Sequence, residues 1–148
     1  MIRSLASQPR WFLAAGLRRI ELCSRLDLDG LTPERDNIVM VKNNVNLPIK
    51  VMIRPRSGNF VYKMDEIKSM ELEIEFCKKI GIQQIVLGVL NNYNEIDIAL
   101  LNRLSEKATP MDITFHKAID HTKDIIQQLE LLCEIESVKS VLTSGGIG

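Results

Sequence analysis

The sequence predicts an α/β fold in which about five parallel strands alternate with helices. Short apolar runs, RRIELC (18–23), LPIKVMIR (47–54), QQIVLGVL (83–90), MDITFH (111–116) and SVKSVLTSGG (137–146), return at intervals of roughly 30 residues. Near-continuous apolar strands separated by helical patterns imply parallel pairing through right-handed crossovers. Chemically capable side chains also gather at the carboxyl ends of the runs: Glu21 and Cys23, Arg54 and Arg56, Thr114 and His116, Thr143 and Ser144.

The elements follow in order. Residues 1–20 carry Arg3, Arg10, Arg18 and Arg19 with no acidic residue before Glu21. They read either as a first helix, with Leu5, Phe12, Leu13 and Ala14 ahead of a Gly16 stop, or as a mitochondrial presequence. TPERDNIVMVKNNV (32–45) predicts a helix with Thr32 as N-cap and Pro33 at its first position. MDEIKSMELEIEFCKKIG (64–81) predicts the best helix, with Met64, Ile67, Met70, Ile74 and Cys77 on one face, acidic residues early, lysines late and Gly81 at its end. IDIALLNRLSEKA (96–108) is a helix stopped by Pro110, and HTKDIIQQLELLCEI (121–135) is another, with Thr122 as its cap. Cys77 and Cys133 fall on apolar helical faces and read as core residues.

At 148 residues, with 45% hydrophobic and 26% charged residues, the chain has the size and composition of one globular domain, residues 1–148. Nineteen basic and nineteen acidic residues balance, which argues against nucleic acid or an anionic membrane as a partner held by bulk charge. No apolar run reaches the roughly 20 residues of a membrane span. Three scattered cysteines without a CxxC suggest neither a zinc ribbon nor a disulfide framework, and fit a reducing cytosol.

The intervals suit both a (β/α)8 barrel and a doubly wound sheet. Functional side chains spread over the ends of several strands favour the barrel, and no glycine-rich nucleotide fingerprint follows the first strand. His116 ends its strand four residues before Asp120, so imidazole and carboxylate can meet as an acid–base pair; alternatively His116 is a loop residue that caps the next helix. Glu21 and Cys23 alternate with Leu22 and so share a face, which places a carboxylate and a soft sulfur ligand together. Arg54 and Arg56 flank Pro55; their guanidiniums suit an anionic substrate group, or Arg54 pairs with Glu21 or Asp27 and shapes the rim. LTSGG offers Ser144 and Gly145 as an anion-binding nest. His121 reads as a solvated loop residue.

The series RIELC, VMIRPRSGNFVY, LGVL, TFHKAID and VLTSGG, in this order and at these spacings, resembles the CutC family of copper homeostasis proteins from about Gly16 to Gly145. That resemblance implies a (β/α)8 barrel, a cytoplasmic location, and copper binding with Cys23 as a ligand for Cu(I). It sets Glu21, Arg54, Arg56, His116 and Asp120 at the barrel mouth. It also implies departures: an arginine-rich segment replaces the family's cysteine-bearing first strand, Lys117 stands where arginine is usual, and the family's last two strands do not follow. The expected architecture is therefore an incomplete barrel of about five parallel strands whose raw edges invite association between copies.

Three functions fit these expectations. One is Cu(I) buffering or delivery through Cys23. Another is a barrel enzyme for a small anionic metabolite, in which Asp120 holds His116 as acid or base, Arg54 binds the anion and Glu21 assists. The third is an inactive piece that needs a partner.

Overall fold

The computed structural model describes residues 11–15 and 19–144. Its centre is a six-stranded sheet whose order in space is its order in sequence. The strands are β1 (Trp11–Ala15), β2 (Ile20–Ser24), β3 (Ile49–Met52), β4 (Gln84–Leu87), β5 (Asp112–Phe115) and β6 (Val138–Val141). From β2 to β6 every pairing is parallel. A doubly wound sheet reverses its order at a switch point; this sheet does not reverse, so the winding is that of a barrel left open.

Four helices connect the strands: α1 (Arg35–Asn44), α2 (Met64–Lys79), α3 (Ile98–Ala108) and α4 (Ile125–Cys133). Winding in one direction with right-handed crossovers sets them on one face of the sheet. The register builds that face from Ile20 beside Ile49, Leu22 beside Val51, and Ile85 between Val51 and Ile113. These side chains are buried, together with Ile74 and Cys77 of α2 and Leu101 and Leu104 of α3. The residues between them point the other way. Glu21, Lys50, Gln84 and Asp112 form one rank on that second face, and Met52, Val86, Thr114 and Ser140 form the next. There Lys50 Nζ donates to Thr114 Oγ1 at 2.9 Å, and Thr114 Oγ1 lies 2.7 Å from Ser140 Oγ. Burial lowers the pKa of Lys50, and the charge of Arg19 adds to the effect.

Local chemistry explains where the elements stop. Glu66 accepts from the Lys63 N–H at 2.8 Å and closes the first turn of α2. Gly81 leaves that helix at φ +90°, a conformation that suits glycine. Asp97 caps α3 by accepting from the Leu100 N–H. Between α2 and α3, Glu71 takes a bidentate pair from Arg103, and Glu75 pairs with Lys107 one turn later.

The structure corrects five expectations. Residues 11–15 form a strand antiparallel to β2, with Trp11 opposite Ser24, and not part of a first helix. This strand pairs the edge of β2 that the family's first strand was expected to leave empty; residues 1–10 lie outside the described residues. Thr32 is not a helix cap, because its hydroxyl and N–H are spent on the Arg54 backbone, and Glu34 holds the N-cap position of α1. Asp124, rather than Thr122, caps α4 by accepting from the Gln127 N–H, while the Thr122 hydroxyl bonds back to Ile119. Met64 is exposed at the start of α2, where the helix projects past the sheet. Cys133 ends α4 and is exposed, whereas Cys77 is fully buried, its thiol pushed up to about 12 by desolvation.

Ile85 sits at the centre of the helix-facing side and is 0% exposed. Ile85→Ala is expected to cost about 2–5 kcal/mol in denaturant unfolding. Lys139→Ala, on the exposed part of β6, is expected to stay within about 0.5 kcal/mol; equal effects would contradict the assignment of faces.

Candidate functional site

Beyond the carboxyl ends of β3, β5 and β6 lies a cavity of about 520 Å³, lined by Met52, Arg54, Phe60, His116, Lys117, Asp120, His121 and Ser144 among others. Parallel register brings these side chains together, because the second face of each strand continues into the rim.

His116 is the best-determined group. It follows β5 and is 5% exposed. Its Nδ1 accepts from the Ala118 N–H at 3.1 Å, capping the 3-10 turn Lys117–His121. A ring nitrogen that accepts carries no hydrogen, so the proton is on Nε2, which has no hydrogen-bond partner among the described residues. Burial, with the Arg54 charge adding to it, pulls the imidazole pKa down to about 3. The ring rests on the backbone of Gly88, where a Cβ would come within 2.4 Å of Cε1 and 2.6 Å of Nδ1.

Arg54 is 6% exposed and held by the carbonyls of Leu28 at 2.9 Å, Gly58 at 3.1 Å and Gly30 at 3.4 Å, with the Tyr62 hydroxyl also beside its guanidinium. It makes neither of the ion pairs expected of it; Asp27 is taken by Arg25. Among the described residues its Nε has no acceptor. The Phe60 ring packs on this guanidinium at 5.0 Å and on the His116 ring at 5.1 Å.

Asp120 does not hold His116. Its carboxylate accepts from Thr143 Oγ1 at 2.5 Å, from the Ser144 N–H at 3.0 Å and from Ser144 Oγ at 2.8 Å. The expected acid–base pair therefore does not form, and His116 Nδ1 caps its own turn instead. The same contacts overturn the anion nest at Ser144, whose N–H and hydroxyl face a carboxylate; Gly145 lies outside the described residues. Arg56 is likewise committed. It pairs with Glu66, donates to the Val61 carbonyl at 2.8 Å and stacks on Tyr62, so it organises the loop before α2 and does not line the cavity.

Glu21 and Cys23 do share a face, as alternation requires, and both stand away from the cavity lining. Glu21 Oε1 is buried without a hydrogen-bond partner among the described residues. The Cys23 thiol is held above its ordinary pKa by burial, with the Glu21 charge adding to it. Cys23 and Met52 both border Gly30, which has φ +94° and whose added Cβ would lie 3.3 Å from Cys23 Sγ and 3.6 Å from Met52 Cε. Among the described residues no group of three or more His, Cys, Asp or Glu converges as a metal site.

Sequence reasoning missed Gly88, Phe60, Met52 and the place of His121, which stacks on Phe60 at 5.5 Å. Only Gly88 had a signal, a glycine inside an apolar strand pattern, which marks close backbone approach.

Two outcomes test this geometry. Gly88→Ala is expected to displace the imidazole and cost about 1–3 kcal/mol in thermal or chemical unfolding. His116 binds its proton less readily in the folded chain than in the unfolded one, from the ordinary 6.5 down to about 3. Stability therefore falls as pH drops through that window, and the contribution is constant above it. His116→Asn keeps an acceptor for Ala118 and removes the titration, so unfolding measured against pH is expected to lose that part of its slope.

The comparisons with known proteins agree with this architecture. The CutC family model matches residues 4–147. The family protein CutC of Histophilus somni is 42% identical over 131 residues, covering 88% of this chain and 54% of that protein. Its counterpart in Glaesserella parasuis is 43% identical over 127 residues, covering 86% and 52%. A crystal structure assigned to copper homeostasis, CutC from Streptococcus agalactiae, superposes with a TM-score of 0.80 at 28% identity, covering 88% of this chain and 64% of that one. The chain thus spans about half the length of the curated relatives it matches. With the family model matched over nearly all its residues, the chain belongs to the CutC family.

Proposed function

We propose that the chain serves copper homeostasis by taking up Cu(I) as cargo, with the Cys23 sulfur as its ligand. The observation that carries this reading is that two residues with soft sulfur donors, Cys23 and Met52, both border Gly30 at the ends of neighbouring strands. Thiolate and thioether donors select Cu(I) over harder ions. Family membership and the copper homeostasis role assigned to the Streptococcus agalactiae relative support it. The donor set does not resemble a zinc centre, which takes four ligands of which the described residues gather no three.

His116 is not a ligand in this reading. Binding a metal through Nε2 requires that nitrogen to give up its hydrogen, which would then have to sit on Nδ1 and break the bond from Ala118. The cytoplasmic setting that the family resemblance implies is part of the same proposal. No described helix is long and apolar enough to cross a membrane.

Because burial and Glu21 hold the thiol protonated at neutral pH, uptake of Cu(I) releases a proton. Competition against a Cu(I) chelator is expected to show affinity rising by about tenfold per pH unit below the thiol pKa. Cys23→Ser is expected to abolish binding, and Met52→Leu to weaken it. Unchanged affinity in Cys23→Ser would contradict the proposal.

A further inference from the structure

The copper reading uses neither of the two buried donors at the rim. Among the described residues neither His116 Nε2 nor Arg54 Nε has a hydrogen-bond acceptor, and both atoms are buried. Their side chains are 5% and 6% exposed, and both line the cavity of about 520 Å³. Leaving such donors desolvated and unpaired opposes folding, so a ligand that accepts from them recovers a real deficit. They are also preorganised. Ala118 and Gly88 fix the imidazole as a neutral Nε2–H donor, and three backbone carbonyls fix the guanidinium. Among the described residues Arg54 forms no close ion pair.

We propose that this cavity binds a small organic carboxylate. One carboxylate oxygen accepts from His116 Nε2–H, Arg54 supplies the balancing charge and Nε–H, and Met52 and Leu142 contact the carbon part. The Phe60 ring packs on both donors and covers them, so the carboxylate enters as that ring swings aside. The lining favours a monoanion over a phosphate. Asp29 and Asp120 stand in the same wall, and the Ser144 N–H that could join a phosphate nest is spent on Asp120. The role of His116 is that of a neutral donor to an oxygen, as opposed to a base, because its pKa lies near 3.

The test is calorimetric titration of the copper-free chain with acetate and pyruvate, with inorganic phosphate in a parallel arm. Saturable binding of a carboxylate, at least about tenfold weaker in His116→Asn, is expected. The same binding is expected in Cys23→Ser, which separates this site from copper uptake. Amide resonances of Gly88 and Ala118 in the unsubstituted protein should shift with the same saturation, and they decide the matter if His116→Asn fails to fold. No saturable carboxylate binding up to about 10 mM, tighter binding of phosphate, equal binding in His116→Asn, or shifts that spare Gly88 and Ala118 would overturn the proposal.

Discussion

Everything at the rim depends on one constraint: five parallel strands held in a register that sends alternate residues to opposite faces. Ile20, Leu22, Val51, Ile85 and Ile113 bind the sheet to its helices. That burial fixes where the intervening residues point, since a slip of one residue would bring Glu21 and Lys50 under the helices and expose the isoleucines. The hydrophobic layer thereby sets the ranks of Glu21 with Lys50 and of Met52 with Thr114, and the direction of the rim beyond them. Consecutive strand order has a second effect. With no reversal there is no single switch-point crevice, so several strand ends share one mouth.

At that mouth the chain uses backbone groups to fix side chains that carry chemistry. Arg54 is held by carbonyls, His116 by an amide and by the bare backbone of Gly88. Asp120 works in the opposite sense, gathering donors from Thr143 and Ser144 to pin the segment after β6. Each of these bonds consumes capacity that a sequence reading would assign to substrate. What remains among the described residues includes the N–H groups of His116 Nε2 and Arg54 Nε without acceptors, and Cys23 and Met52 bordering Gly30.

The sequence made the strands and most helices legible because they bury continuous apolar faces, a signal that survives in one dimension. It misplaced the caps of α1 and α4, because Thr32 was drawn off by the backbone of Arg54 and Thr122 by Ile119, contacts made across loops. The strand at Trp11–Ala15 was hidden for a related reason. Its pairing with β2 is tertiary, and a short apolar segment reads equally as a helix. Of the site residues, Arg54 and His116 were found from their positions after strands. Arg56 and Ser144 shared the same signal, yet their partners Glu66 and Asp120 became visible only in three dimensions. Gly88 was present in the pattern, but its meaning depends on a ring that arrives from the neighbouring strand end.

The central claim is that His116 is locked as a neutral imidazole with its hydrogen on Nε2. Long-range nitrogen–proton correlation spectra of the labelled chain, recorded across pH, test that directly. The account predicts the Nε2–H pattern at neutral pH and no protonation of this ring down to about pH 4, consistent with a pKa of about 3. An Nδ1–H pattern, or a titration near 6.5, would contradict it.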